Sequence, residues 1–208
     1  MNIEGLKVKY KDKTVFENLC LKIENNEKVA IVGKSGEGKT SLIKALLKLV
    51  DFDGKVTNVP EFSVVFQEDR LVEELSVKEN ILLVCPDADV TNVLNKIGLL
   101  DSERTKVKNL SGGMKRRVAI ARAMSKRCEM LVADEPFVGL DVATKAVVTE
   151  RLKEFVADKG LLLVTHDLLQ AYELCDRIII IDGNGVVEDR KTSEFTVDMA
   201  IGRFIANS

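Results

Sequence analysis

Apolar and polar residues alternate over residues 6–10, and short apolar stretches follow at 19–23 and 28–32. All three read as β-strands, the third running directly into a glycine-rich turn. From residue 40 to 50, Leu42, Ile43, Leu46, Leu47 and Val50 recur at helical spacing. That period predicts a helix beginning where the glycines end. Residues 62–66 read as a further strand, and 76–84 and 90–100 as helices separated by Pro86-Asp87. A helix after Ser111, a strand at 130–133, a helix at 143–157, a strand at 161–165, a short helix and a strand at 177–181 follow. Residues 192–208 read as a short helical close. Alternation of strand and helix predicts a mainly parallel sheet covered on both faces. The expected organisation is one domain. Residues 1–66 and 129–208 are expected to form an α/β core with a small N-terminal antiparallel β part, and 67–128 an inserted helical part.

Composition narrows this picture. The 208 residues suffice for one domain with subdomains. A formal net charge of −2 with 31% charged residues provides no strong field for attracting nucleic acid, which is excluded as a partner. No apolar run approaches the ~20 residues of a membrane-spanning helix. The start, Met1-Asn2-Ile3-Glu4-Gly5, lacks the basic and apolar regions of a signal peptide, which predicts a cytosolic chain. Cys20, Cys85, Cys128 and Cys175 are widely spaced, with one histidine in the whole chain. Neither a zinc site nor a disulfide framework is expected.

Gly33-Lys34-Ser35-Gly36-Glu37-Gly38-Lys39-Thr40 matches G-x-x-x-x-G-K-[ST] between a predicted strand and a predicted helix. Glycines let the backbone curl so that successive N–H groups face phosphate oxygens, and the helix start adds partial positive charge. Lys39 is placed to reach the β- and γ-phosphates and the Thr40 hydroxyl to ligate Mg²⁺. A phosphate loop alone does not choose between a kinase, a GTPase and a motor.

Leu110-Ser111-Gly112-Gly113-Met114 and the run continuing to Ala123 supply the choice, because they resemble the signature sequence of ABC ATPases. Met114 stands where glutamine is commoner. Physically, Ser111 is a good N-cap, and two glycines expose N–H groups at a helix start, making a second anion-binding element. The resemblance implies an ABC-type P-loop fold and an ATPase with ATP and Mg²⁺ as cofactors. In that family the signature meets the nucleotide of another subunit, so two chains sandwich two ATP molecules. Gly33, Lys34, Ser35, Gly36, Glu37, Gly38, Lys39, Thr40 and Ser41 are then the ATP-binding loop, with Tyr10 stacking on adenine. The strand end Ala133-Asp134-Glu135-Pro136 resembles Walker B followed by the catalytic glutamate, with Asp134 holding the metal and Glu135 polarising the attacking water. Gln67 matches the Q-loop, contacting metal and water. Val138-Gly139-Leu140-Asp141 resembles the D-loop, with Val138 in place of the usual serine, and His166, in Val-Thr-His-Asp, matches the switch histidine.

The resemblance spans residues 10–181 and is most like bacterial importers of the nitrate, sulfonate and taurine type. It implies a second ATPase subunit, integral membrane permease subunits docked near Gln67 by Leu71, Val72 and Leu75, and an extracytoplasmic binding protein. The chain is thus expected on the inner face of the cell membrane. An ABC mechanoenzyme of cell division or lipoprotein release would carry the same motifs. A chromosome ATPase would need a long coiled-coil insertion between the phosphate loop and the signature, and the modest interval from Gln67 to Ser111 argues against one. The basic run Lys115-Arg116-Arg117 reads as a solvated helix face.

Overall fold

The computed structural model describes residues 1–10, 13–182 and 185–194. By compactness the chain divides into two units, Met1–Pro60 with Gly160–Ser208, and Glu61–Lys159.

The first unit holds two sheets. One is antiparallel, ordered β2-β1-β4, from β1 (Asn2–Tyr10), β2 (Lys13–Lys22) and β4 (Asp53–Thr57). Its alternating strands bury Ile3, Leu6, Val8, Phe16 and Leu19 on one face. The other places β3 (Lys28–Val32) between β7 (Gly160–Thr165) and β8 (Arg177–Asp182), both parallel to it, with β9 (Gly185–Lys191) antiparallel on β8. All six residues of β7 are buried, which is why that strand reads as a continuous apolar run rather than an alternation.

Two strands escape the hydrophobic pattern. Strand β4, Asp-Gly-Lys-Val-Thr, has no fully buried residue, and β9 buries only Glu188. Both are defined by backbone pairing to a neighbour, which period-2 reading does not detect. The helix predicted for 40–50 spans Lys39–Leu46 as α1. It stops because Lys48 takes a left-handed φ of 55°. Leu49 N–H then donates to Lys44 at 2.8 Å and Lys48 N–H to Ala45 at 2.9 Å, closing the last turn. Leu47 and Val50 continue the apolar period beyond the helix. Helix α6 (Leu168–Leu174) precedes β8. Of residues 192–208, Thr192–Glu194 form one 3-10 turn. The rest of that predicted helical close lies outside the described residues.

The second unit pairs β5 (Phe62–Val65) with β6 (Met130–Asp134) in parallel. Its helices are α2 (Val77–Leu82), α3 (Val90–Lys96), α4 (Gly112–Ser125) and α5 (Val142–Phe155). Val77, Ile81, Leu94, Ile97, Val107, Val118 and Ala121 form a helical core of their own. Helix α2 starts with a reciprocal cap, Ser76 accepting from Glu79 N–H at 3.2 Å while Ser76 N–H donates to the Glu79 carboxylate at 2.7 Å. Helix α3 stops at Gly98, φ 65°, where Leu99 N–H reaches back to Leu94. It therefore ends four residues before the predicted boundary at 100.

Asn80 is the one uncharged amide fully buried in this unit's described residues. Its Oδ1 accepts from Val72 N–H at 2.8 Å, and its Nδ2 donates to the carbonyls of Val72 (3.0 Å) and Ser76 (2.9 Å). The side chain thus replaces secondary structure for residues 72–76. Asn80→Ala is expected to destabilise the fold by about 2–4 kcal/mol, because Val72 N–H loses its partner in a buried site and the carbonyls of Val72 and Ser76 each lose one of two donors. Urea denaturation checks this as a lower midpoint at unchanged slope.

Candidate functional site

In the first unit the phosphate loop leaves the end of β3, where Val32 is in register with Thr165 of β7. His166 follows Thr165 directly. The loop and the chain's one histidine thus emerge from the same, carboxyl, ends of neighbouring parallel strands, where open α/β sheets bind ligands. Thr165 is fully buried, and its hydroxyl accepts from Asp167 N–H at 3.0 Å. Asp167 in turn caps α6, accepting from Leu169 N–H at 2.9 Å. These bonds fix the backbone on both sides of His166 while its side chain is exposed.

The loop has little room for other residues. Gly38 opens α1 at φ 96°, and a Cβ there would lie 2.8 Å from the Phe16 ring. A Cβ on Gly33 would lie 2.6 Å from the Ile181 carbonyl oxygen. Gly38 meets the conformational demand, and Gly33 the close approach. Lys39 is 8% exposed, its ammonium donating to the carbonyls of Gly33 at 2.6 Å and Lys34 at 2.8 Å. It lies folded over the loop. Lys34 N–H donates to the Glu37 carboxylate, so the loop already presents a backbone donor to an anionic oxygen. A phosphate fits that chemistry. Ser35 and Gly36 are exposed at the loop tip, and Thr40 and Ser41 are half-buried in the first turn of α1. Tyr10 ends β1, two residues beyond Val8, which pairs with Phe16; it is 38% exposed.

In the second unit β5 and β6 repeat the arrangement. Val65 is in register with Ala133, so Gln67 and the pair Asp134-Glu135 leave the same ends of two parallel strands. Asp134 is buried, Glu135 half-buried and Gln67 exposed. Glu135 has a φ of 47°, a conformation that costs a residue with a Cβ roughly 1–2 kcal/mol. Among the described residues no group of three or more His, Cys, Asp or Glu could hold a metal ion. A cation bound by Asp134 or Thr40 needs phosphate or water oxygens to complete its shell, as Mg²⁺ ordinarily does.

The signature residues open α4. Ser111 caps it, accepting from Met114 N–H at 3.3 Å, and Gly112 has open space around its Cα. A Cβ on Gly113 would lie 3.2 Å from the Gly139 carbonyl, which sets the start of α4 against residues 139–140. Asp141 caps α5 through Thr144 N–H at 2.9 Å and Thr144 hydroxyl at 2.7 Å. Those two bonds hold its carboxyl below the usual aspartate range. Val138 is 55% exposed.

The basic run on α4 is not a solvated face. Arg116 is 3% exposed, and its guanidinium is surrounded by backbone carbonyls and Asp69. Arg117 donates to the carbonyls of Ile97 and Gly98, and only Lys115 makes a surface pair, with Glu73 at 2.8 Å. Successive residues on a helix are rotated by 100°, so three adjacent cations face three different environments. Arg116 carried no signal in the sequence beyond its place in the signature helix. The four cysteines are free thiols, with Cys128 and Cys175 buried and pushed up by that burial.

A family model described as ABC transporter matches residues 16–138, which include the phosphate loop, the signature and the Asp134-Glu135 pair. The chain belongs to the ABC transporter family. Among the relatives of this ABC chain is the aliphatic sulfonates import ATP-binding protein SsuB 3 of Rhodococcus jostii (strain RHA1), 36% identical over 91% of this chain and 74% of the relative. Another is the aliphatic sulfonates import ATP-binding protein SsuB 2 of Frankia alni, 36% identical over 98% of this chain and 86% of the relative. Among solved structures, a dimeric post-hydrolysis state of an ATP-binding cassette bound to ADP and Pi resembles the ABC chain with a TM-score of 0.83. It is 25% identical, over 93% of this chain and 99% of that one. The structural likeness is that of the ABC ATPase fold. No helix among the described residues is long and apolar enough to cross a membrane.

Proposed function

We propose that this ABC chain is the ATP-binding and hydrolysing subunit of a solute importer, working as a dimer of such subunits on separate permease subunits at the inner face of the cell membrane. The observation that carries this reading is the presence of two glycine-opened helix starts in one chain. Gly38 opens α1 beside the buried Lys39, and Ser111-Gly112-Gly113 opens α4 with a serine cap, its first lysine, Lys115, paired with Glu73. The second is suited to the nucleotide of another copy. Relatives named as import ATP-binding proteins and a dimeric cassette bound to ADP and Pi support it.

In this reading Gly33 to Ser41 hold the phosphates by backbone N–H groups and the Lys39 ammonium, and Tyr10 covers the base. Bound Mg-ATP supplies the scissile anhydride and the metal charge that neutralises it. Thr40, Asp134 and Gln67 would hold the metal and its water shell, Glu135 would take a proton from the attacking water, and His166 would hydrogen-bond the terminal phosphate. Ser111 to Met114 and Asp141 act across the dimer. Residues 67–128 serve as the helical subdomain and the rest as the core. Residues 71–75 face the permease, where Val72 is exposed and Leu71 packs against the helical core. The relatives' names make aliphatic sulfonates the solute class to test first.

Purification of the tagged full chain from its native membrane tests the proposal. A multi-span membrane protein is expected to accompany it, with Mg-ATPase activity that rises when the solute and its binding protein are added. Recovery with a protein bearing one large extracytoplasmic domain and no permease would favour the mechanoenzyme reading instead.

A further inference from the structure

The guanidinium of Arg116 joins three segments of the second unit that are distant in sequence. From the first turns of α4 its Nε donates to the Pro136 carbonyl at 2.9 Å. NH2 donates to Asp134 at 3.0 Å and Glu135 at 2.6 Å. NH1 donates to Phe66 at 2.6 Å, to Gln67 at 3.3 Å and to the Asp69 carboxylate at 3.1 Å. Six acceptors thus share the five N–H donors of one planar group, the longest bond being the shared one.

Two physical consequences follow. Carbonyls of consecutive residues in an extended chain point alternately to opposite sides. For those of 134, 135 and 136 to face one guanidinium, the chain must turn sharply, and it does so at Glu135 with its φ of 47°. The cation therefore rewards the strained backbone that aims the Glu135 side chain. Secondly, a cation this deeply buried has, among the described residues, one partly exposed carboxylate as its charged partner, and the carbonyl dipoles complete its solvation. That arrangement persists only while all three segments stay in place.

We propose that Arg116 is a positioning residue for ATP hydrolysis: it fixes the backbone of Gln67 and of Glu135 to the helix that carries Ser111, Gly112 and Gly113. This rests on the reading of Glu135 and Gln67 given above. It assigns no contact with nucleotide to Arg116, which acts through the peptide groups of both residues. Lysine cannot replace it, since an ammonium has three donors and no fork.

The experiment compares wild type, Arg116→Lys, Arg116→Gln and Glu135→Gln as full chains, measuring Mg-ATP turnover, ATP affinity and thermal unfolding. Both Arg116 variants are expected to lose roughly 10- to 100-fold in kcat, the range that a misplacement near 1 Å produces. KM and ATP affinity should stay within about twofold, because the phosphate loop is built in the other unit, and unfolding should remain cooperative. In a Glu135→Gln background, Arg116→Lys is expected to add little further loss, as for residues acting through one another. Unimpaired kcat in both Arg116 variants beside an inactive Glu135→Gln would overturn the positioning role alone. A fully additive loss, an equal fall in nucleotide affinity, or failure of both variants to fold would assign Arg116 a structural role and overturn it as well. Full turnover by Glu135→Gln would overturn the underlying reading, and the positioning role with it.

Discussion

Glu135→Gln is expected to bind Mg-ATP as the wild type does, to lose roughly 10²–10⁴-fold in turnover, and to run as a dimer where the wild type runs mainly as a monomer. The amide keeps the size of the side chain but cannot take a proton from water. The backbone is untouched: the left-handed turn at residue 135 and the carbonyl bonds to Arg116 do not involve the carboxylate. The loss therefore reports on the side chain alone. Size-exclusion chromatography with and without Mg-ATP, alongside phosphate release, makes the check. A variant that stays monomeric at saturating ATP contradicts closure of two subunits on the nucleotide, and one with wild-type turnover contradicts the general-base role.

Lys39→Ala is expected to fail one step earlier. The ammonium is nearly buried against the loop carbonyls of Gly33 and Lys34, which holds its positive charge on the loop itself. Charge-assisted hydrogen bonds contribute about 1.5–3 kcal/mol, so ATP affinity should fall roughly 10- to 150-fold, with turnover lost as a consequence of weaker binding. Titration with a fluorescent ATP analogue measures it directly. Because Lys39 belongs to the first unit and Glu135 to the second, the two variants separate nucleotide capture from hydrolysis. Equal affinity in wild type and Lys39→Ala would reject the loop as the principal phosphate site.

The phosphate loop was legible because its chemistry is local. Gly33, Gly38 and Lys39 lie within seven consecutive residues, and a strand before and a helix after them suffice to shape the cradle. The same holds for Ser111 and its glycines at the start of α4, and for the parallel strands whose apolar runs mark burial on both faces. Helix ends were less legible, since α1 stops at the left-handed Lys48, a residue with no bias toward that conformation. Strands β4 and β9 were missed because pairing with β1 and β8 defines them, and their own side chains stay largely in solvent.

The amino-acid order by itself determined which groups are present and which of them share a turn, a strand end or a helix start, because those relations span only a few bonds. Only the tertiary structure decided that, of three adjacent cations, Lys115 faces a surface glutamate, Arg117 the end of α3, and Arg116 the buried meeting point of residues 66–69 and 134–136. The physical reason is that burial depends on what packs against each side of a helix. Here the packing partners come from segments about 50 residues before and 20 residues after Arg116, and no local pattern encodes them.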